Sequence, residues 1–471
     1  MEMRDVRWRN TIVLLTIAAG LGGGCTVGPE YKRPPVTMPD EYRGLPADQA
    51  GRAEPASFGD QKWWEVFEDD TLQGLIRTAL EQNYDVRIAA TRILQARAQL
   101  GITRADQWPT VSAGALVAHQ RIPQSRSAPA FDTNIGDASV SAAWELDFWG
   151  KFRRATEAAR AVLLANEWAR QEVSRTVVSD VASAYFQLRE LDLELEISRR
   201  TLESRRDSLR LTQRLADGGA RSLLDVRQAE QLVFGASASI PDLEQRIEEQ
   251  ENFISTLLGN NPQGVPRGRR LTEQPHAPEV PAGLPSALLE RRPDIRQAEQ
   301  EVVASNAGIG VAKADYFPQI SLTATGGFQS SALASLFSGA AGLWTLGASA
   351  VQPVFQAGRL RSRVELAEAQ QQEASLAYQR TIQQAFREVS DALIAYRKTQ
   401  EFRVEQEQLT RSAEDATRLS NLRYTGGATS YLEVLDSDSR RFAAQLNLAQ
   451  AQLNELQSMV RIYRALGGGW Q

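Results

Sequence analysis

The side chains best suited to chemistry are scarce in this chain of 471 residues: two histidines, His119 and His276, and one cysteine, Cys25. The histidines stand far apart, without the paired spacing of a His/Cys metal site or of a nucleophile and its base. Each reads as an ordinary surface or loop residue. Carboxylates alone could run hydrolytic or metal chemistry, but no compact acidic constellation stands out. Catalysis, a bound metal and a cofactor are therefore not expected. A formal charge of -5 with 24% charged residues supplies none of the basic surface that neutralises phosphate backbones, so nucleic acid is not an expected partner.

Cys25 draws its interest from its position. It follows Arg4, Arg7 and Arg9, then the apolar run Thr11-Ile12-Val13-Leu14-Leu15-Thr16-Ile17-Ala18-Ala19, then Leu21-Gly22-Gly23-Gly24. This is the pattern of a secretory signal peptide over residues 1–24. A basic start, a short apolar core and small residues before a cysteine resemble a bacterial lipoprotein signal. In such signals the cysteine is acylated, becomes the first residue and inserts into lipid. Gly22 occupies the place usually held by leucine, with Leu21 one step further back. A free cysteine beside an ordinary signal peptide is the alternative. A lone cysteine forms no intrachain disulfide. Beyond residue 24 no run of about 20 apolar residues occurs, so any membrane crossing falls to β-strands or to lipid.

The elements that position these residues follow from an internal duplication. Tyr84-Asp85-Val86-Arg87 matches Pro293-Asp294-Ile295-Arg296, and Arg104-Ala105-Asp106-Gln107-Trp108-Pro109 matches Lys313-Ala314-Asp315-Tyr316-Phe317-Pro318 at the same offset. At an offset one residue shorter, Gly150-Lys151-Phe152-Arg153 matches Gly358-Arg359-Leu360-Arg361, and the phrase from Gly218 to Val226 matches that from Gly426 to Val434. Segments that refuse length changes are long helices in a fixed packing register. The first repeat spans 63–259 and the second 286–471, with a lipidated extended segment at 25–62 and a proline-rich linker at 260–285. Asp70, after the Trp63-Trp64 phrase, is a candidate helix cap.

From Lys151 to Asp217 there is neither proline nor glycine, and Ala, Arg, Glu and Leu dominate, which predicts one continuous helix. Val177, Val181, Ala184, Leu188, Leu191, Leu195, Ser198, Leu202, Arg205 and Leu209 fall four and three apart, a heptad seam with two polar interruptions. At about 1.5 Å per residue such a helix runs on the order of 100 Å. Arg359 to Thr425 repeats the design, with Ile382, Phe386, Val389, Leu393 and Tyr396 as its seam. Each long helix ends at a glycine pair, Gly218-Gly219 and Gly426-Gly427, able to adopt the positive φ of a helix stop. Return helices are expected over 222–258 and 430–466. A soluble helical bundle would give the same seams.

Between the helices lie segments rich in Gly, Ser, Thr and Val. They predict a strand pair at Thr110–His119 and Asp137–Trp149, and another at Gln319–Phe328 and Leu343–Phe355. Each is close to the roughly 9–11 residues of a tilted membrane strand. Four strands do not close, and an open edge in lipid leaves backbone groups unsatisfied. Two chains would give a filled eight-stranded barrel; three would give twelve strands and a lumen. The expected fold is therefore mostly α with membrane β: long coiled-coil helices and four strands per subunit of a trimeric twelve-stranded barrel.

The phrases Cys25-Thr26-Val27-Gly28-Pro29-Glu30-Tyr31, Trp63-Trp64, Arg291-Arg292-Pro293-Asp294-Ile295 and Tyr316-Phe317-Pro318 together resemble the TolC-type outer-membrane efflux factors. The likeness covers essentially the whole mature chain. It is nearest to the lipoprotein branch that serves resistance-nodulation-division pumps. The resemblance implies a homotrimer in outer-membrane lipid with a periplasmic helical tunnel, and no enzymatic activity. It also implies two protein partners, a periplasmic adaptor (membrane fusion protein) and an inner-membrane resistance-nodulation-division transporter. Its implied activity is passive export of small molecules such as drugs, toxic compounds or metal ions. The same architecture serves type I protein secretion, and a pore-less trimeric periplasmic scaffold is a rival of another class.

In that family the tunnel closes near the helix turns. By resemblance, Tyr424 and Asp436 fall at gate positions, and Asp225 lies in the equivalent turn of the first repeat. Where relatives carry an arginine near the aspartate this chain has Thr429 and Ser439, with Arg440 and Arg441 close by. A ring of carboxylates from three subunits would favour cations and could be held shut by arginines within about 4 Å. Charged residues beside a helix turn also serve simply as a solvated face.

Overall fold

The computed structural model describes residues 26–44, 57–124, 129–275, 280–283 and 285–470. Cys25, the signal segment before it and His276 lie outside the described residues. In chain order the main elements are α1 (Trp63–Val66), α2 (Asp70–Gln82), α3 (Tyr84–Ala105), β1 (Thr110–Ile122), β2 (Phe131–Leu146), α4 (Lys151–Asp217) and α5 (Leu223–Leu257). The second repeat supplies α6 (Pro285–Arg291), α7 (Pro293–Ala314), β3 (Gln319–Ser330), β4 (Gly342–Val351), α8 (Arg359–Thr425) and α9 (Tyr431–Ala465). Both long helices have the bounds expected from the sequence. Two compact units share these elements: one holds residues up to 35, 92–166 and 297–378, the other 36–91, 167–296 and 379–471.

The first unit is built on a four-stranded antiparallel sheet in the order β1-β2-β3-β4. Its strands differ from expectation by three residues or more at four ends. β1 and β2 run on beyond His119 and begin before Asp137, because His119 pairs with Asn134, Arg121 with Asp132 and Ile122 with Phe131. Asp132 and Asn134 have the composition of a turn, yet they extend the hairpin. β2 stops at Leu146, short of Trp149, where Asp147 accepts hydrogen bonds from the Phe152 and Arg153 backbone N–H groups at the start of α4. β4 stops at Val351, short of Phe355, since Pro353 brings no N–H to a ladder.

The register sorts the sheet into two faces. Val111, Ala113, Ala115 and Val117 share one face with Ala138, Val140, Ala142 and Trp144, and these pair onward with Phe328, Gly326, Ala324 and Leu322. Trp344, Leu346 and Ala348 complete that face on β4. Through these residues it is apolar. The other face carries Thr110, Ser112, Ser139, Ser141, Thr323, Thr325, Thr345 and Ser349, with Asp137 and Glu145 as its charged residues. Alternation of this kind is the period-2 pattern of a sheet between two different solvents.

An extended strap precedes the repeats in this unit. Val27 N–H donates to the Trp149 carbonyl at 3.0 Å, and Asn306 donates to the Pro29 carbonyl at 3.0 Å. Arg33 grips Glu299 through two bonds of 2.7 Å. Gly28, at φ +106°, lies so close to Gly310 that a Cβ there would be 2.5 Å from its Cα. Trp149 stacks on Phe317 at 4.7 Å and donates to the Pro318 carbonyl, tying the first repeat's strand exit to the second repeat's strand entry.

In the second unit the α4 seam is buried as its spacing predicts. Val177, Val181, Ala184, Leu188, Leu191, Ser198, Leu202 and Arg205 are all inside, with Leu195 and Leu209 half-buried. On α8, Ile382, Val389, Leu393 and Tyr396 are buried and Phe386 is half-buried. The cap of α2 is Asp69, one residue before the expected Asp70. Its carboxylate accepts from the Thr71 and Leu72 N–H groups, from the Tyr185 hydroxyl, from the Arg269 N–H and from Gln274. Asp70 begins the helix proper. Two buried arginines close the far end of α9: Arg175 donates to the Arg464 carbonyl and Arg292 to that of Ala465, carbonyls in the last turn, beyond the regular helical ladder.

Candidate functional site

Two places in the fold bear on function: the sheet of the first unit and the paired helix turns of the second. The sheet's apolar face is free of charge through its central band. At its hairpin end the same face turns polar, with His119 bonded to Asn134 at 2.7 Å and Arg121 beside Asp132 at 4.0 Å. His119 is thus an exposed cross-strand partner. From Gly136 to Leu146 the band runs on the order of 35 Å along β2 at about 3.3 Å per residue, enough for a tilted strand to cross a bilayer's hydrocarbon. Trp144 and Trp344 lie on that face, where amphipathic rings suit a membrane interface. β1 and β4 each keep one unpaired edge. No helix among the described residues is long and apolar enough to cross a membrane.

The helix turns are built alike. At the end of α4 the Gly219 N–H donates to the Ala216 carbonyl and the Ala220 N–H to that of Leu215; at the end of α8 Gly427 and Ala428 make the same pair of bonds to Tyr424 and Arg423. This is the Schellman arrangement, and its left-handed residue is the second glycine of each pair, Gly219 and Gly427, both at φ +73°. Gly218 and Gly426 do not take a positive φ.

The structure separates the gate candidates by environment. Tyr424 is buried, 2% exposed, in a cluster with Ala229, Leu232, Tyr431 and Val434. Its ring meets Tyr431 edge-on at 5.2 Å, and the Arg221 guanidinium lies 4.4 Å over it while donating to the Tyr424 carbonyl at 2.6 Å. Burial raises the Tyr431 phenol above its ordinary value. Asp436 is exposed and pairs with Arg440 one turn on at 3.0 Å. Asp225 sits in the first turn of α5, its N–H bonded to the capping Ser222 hydroxyl. Asp436 and Arg440 are brought together; Tyr424 belongs to the buried cluster of the turn.

A stronger ionic contact lies between the repeats. Arg205 of α4 and Asp438 of α9 meet at 2.7 Å with side chains 6% and 9% exposed. Arg205 also donates to the Leu232 carbonyl and stacks over Phe442, while Arg441 reaches the second oxygen of Asp438. The sequence marked Arg205 only as a polar interruption of the seam; a charge buried there is stable when it has a partner. The partner is 233 residues away. Elsewhere on α4, burial pushes the Glu190 carboxyl up to about 8, and neighbouring Glu194 adds to the shift.

Comparison with known proteins places this geometry. Residues 75–260 and 284–468, one stretch in each repeat, match the family described as outer membrane efflux protein. The chain is 36% identical over 464 residues to the probable efflux pump outer membrane protein TtgC of Pseudomonas putida, covering 98% of this chain and 96% of that protein. It is 32% identical over 450 residues to the cation efflux system protein CusC of Escherichia coli, covering 95% and 96%. Among solved structures it is similar to the outer-membrane channel OprN, with a TM-score of 0.87 at 33% identity over 95% of this chain and all of that one. The open-state MtrE outer membrane channel of Neisseria gonorrhoeae gives a TM-score of 0.85 at 29% identity, covering 95% and 99%. Duplicated helices, a two-faced sheet and matches spanning both repeats together make this chain a member of the outer membrane efflux protein family.

Proposed function

We propose that three copies of this chain join β1 edges to β4 edges in a twelve-stranded barrel, the outer-membrane duct of a tripartite efflux system. The sheet's apolar face meets lipid, and its polar face lines the passage. The observation that carries this reading is the two-faced sheet with two unpaired edges: the faces suit a membrane wall, and the edges need partners in lipid. Three subunits leave a lumen where two would fill. The duct is passive, serving small molecules of the drug, toxicant and metal-ion classes. A periplasmic adaptor and an inner-membrane resistance-nodulation-division transporter supply cargo and energy. Acylation of Cys25 adds a lipid anchor.

The helix turns form the periplasmic gate. Asp436 with Arg440 and Asp225 of the first repeat make up its surface, Tyr424 packs in the buried cluster of the turn, and Arg205–Asp438 locks α4 to α9 behind it. The test is reconstitution of purified protein into planar bilayers, comparing the native chain with Asp438→Asn. Discrete conductance steps that grow in the variant are expected. No conductance from either protein would favour a pore-less scaffold.

A further inference from the structure

The connection between β3 and β4, residues 331–341, is unlike an ordinary surface loop. No charged residue occurs from Gln319 to Gly358, so the loop and both its strands are uncharged. It folds through two 3-10 turns, Leu333–Ser335 and Gly339–Ala341, pinned by the Ser330 and Ser335 hydroxyls at 2.8 Å. Leu336 is buried, and its side chain lies 3.7 Å from where a Cβ on Gly136 would point. Position 136 faces the same side as Ala138 and Val140, the apolar side. Phe337 packs edge-on against Phe328 at 5.7 Å on that side, while its own ring is 75% exposed and Leu333 is 65% exposed. The loop therefore bends onto the apolar face, away from the polar one, and extends that face with further bare apolar side chains.

We propose that residues 331–341 form a collar seated in the outer-leaflet lipid at the rim of the barrel, with Leu333 and Phe337 as its lipid contacts. The proposal rests on the reading of the sheet as a membrane wall. A continuous apolar surface without charge is stable in contact with acyl chains and costly in water. A lid over the passage would have to fold toward Asp137 and Gln329 on the opposite face. The β1–β2 hairpin has the contrary chemistry at the same end, with His119, Arg121 and Asp132, and suits water and headgroups.

The experiment attaches an environment-sensitive fluorophore to Phe337→Cys in the full chain reconstituted with lipids carrying a quencher on the acyl chain, the unsubstituted protein giving the background. Leu346→Cys on the apolar face and Thr345→Cys on the polar face are the references. The collar predicts quenching at 337 at least half that at 346 and several-fold above that at 345. Quenching at 346 with none at 337 overturns the collar while leaving the membrane wall intact. No quenching at 346 overturns the wall and the collar with it. Should Phe337→Cys fail to assemble, Leu333→Cys provides the same reading.

Discussion

Glu190 is a residue whose charge is costly where it sits. Burial raises its carboxyl to about 8, from an ordinary 4.5. A raised acid holds its proton in the folded state after the unfolded chain has released it. The contribution of Glu190 to stability is therefore full below about pH 4.5, falls as pH rises toward 8 and is flat above. Glu190→Gln removes that slope: melting curves are expected to match the native chain at pH 4 and to lie higher at pH 8, by on the order of 1–3 kcal/mol. Asp69 has the opposite sign. Burial alone would raise it, but hydrogen bonds from Gln274, Leu72, Tyr185 and Arg269 hold it below its ordinary value, so its contribution is lost as pH falls through that range. The Arg205–Asp438 pair was half visible in the sequence, as a polar interruption of an apolar seam. Spacing along one helix names no partner on another, so Asp438 went unseen while exposed Asp436 was singled out by position alone. Asp438→Asn, leaving a buried guanidinium without its counterion, is expected to cost about 3–5 kcal/mol in chemical denaturation. Asp436→Asn, breaking a solvated pair, is expected to cost below about 1 kcal/mol.

At the scale of elements, the long helices were legible to the residue because their limits are set by local chemistry. A proline- and glycine-free run begins after a left-handed glycine, Gly150 or Gly358, and ends at a glycine pair whose second member, Gly219 or Gly427, is left-handed. Strand limits were less legible, because pairing across β1 and β2 overrides the turn character of Asp132 and Asn134, a decision made between strands. The helix stops give a sharp comparison. Gly219→Ala and Gly427→Ala place a side chain at φ +73° and are each expected to cost about 1 kcal/mol. Gly218→Ala, at ordinary φ with no close contact, is expected to cost little, and thermal melts of the three variants separate these outcomes. In the sheet, a Cβ at Gly327 would sit 2.4 Å from the Ala138 carbonyl oxygen. Gly327→Val is accordingly expected to abolish β2–β3 pairing, read as loss of heat-resistant assembled protein on gels.

For the whole molecule, the duplication was readable from spacing, the extended N-terminal segment from its prolines and the family from the resemblance of short phrases, whereas the separation of the sheet into two faces needed the observed register. A shift of one residue would have exchanged the faces. With the register known, Asp137 and Glu145 are the charged groups on the polar face of the described strands. A trimer would carry three copies of each around its passage and so favour cations. Asp137→Lys with Glu145→Lys is expected to lower or reverse that preference, measured as a shift of reversal potential in a salt gradient. The most direct test of the duct itself is intracellular accumulation of dyes, antibiotics and metal ions after deletion of the gene, with secreted proteins scored in the same cultures. Raised accumulation, restored by the native gene and with unchanged secretion, is the expected result. Unchanged accumulation with lost secreted proteins would contradict the account and assign the duct to protein export.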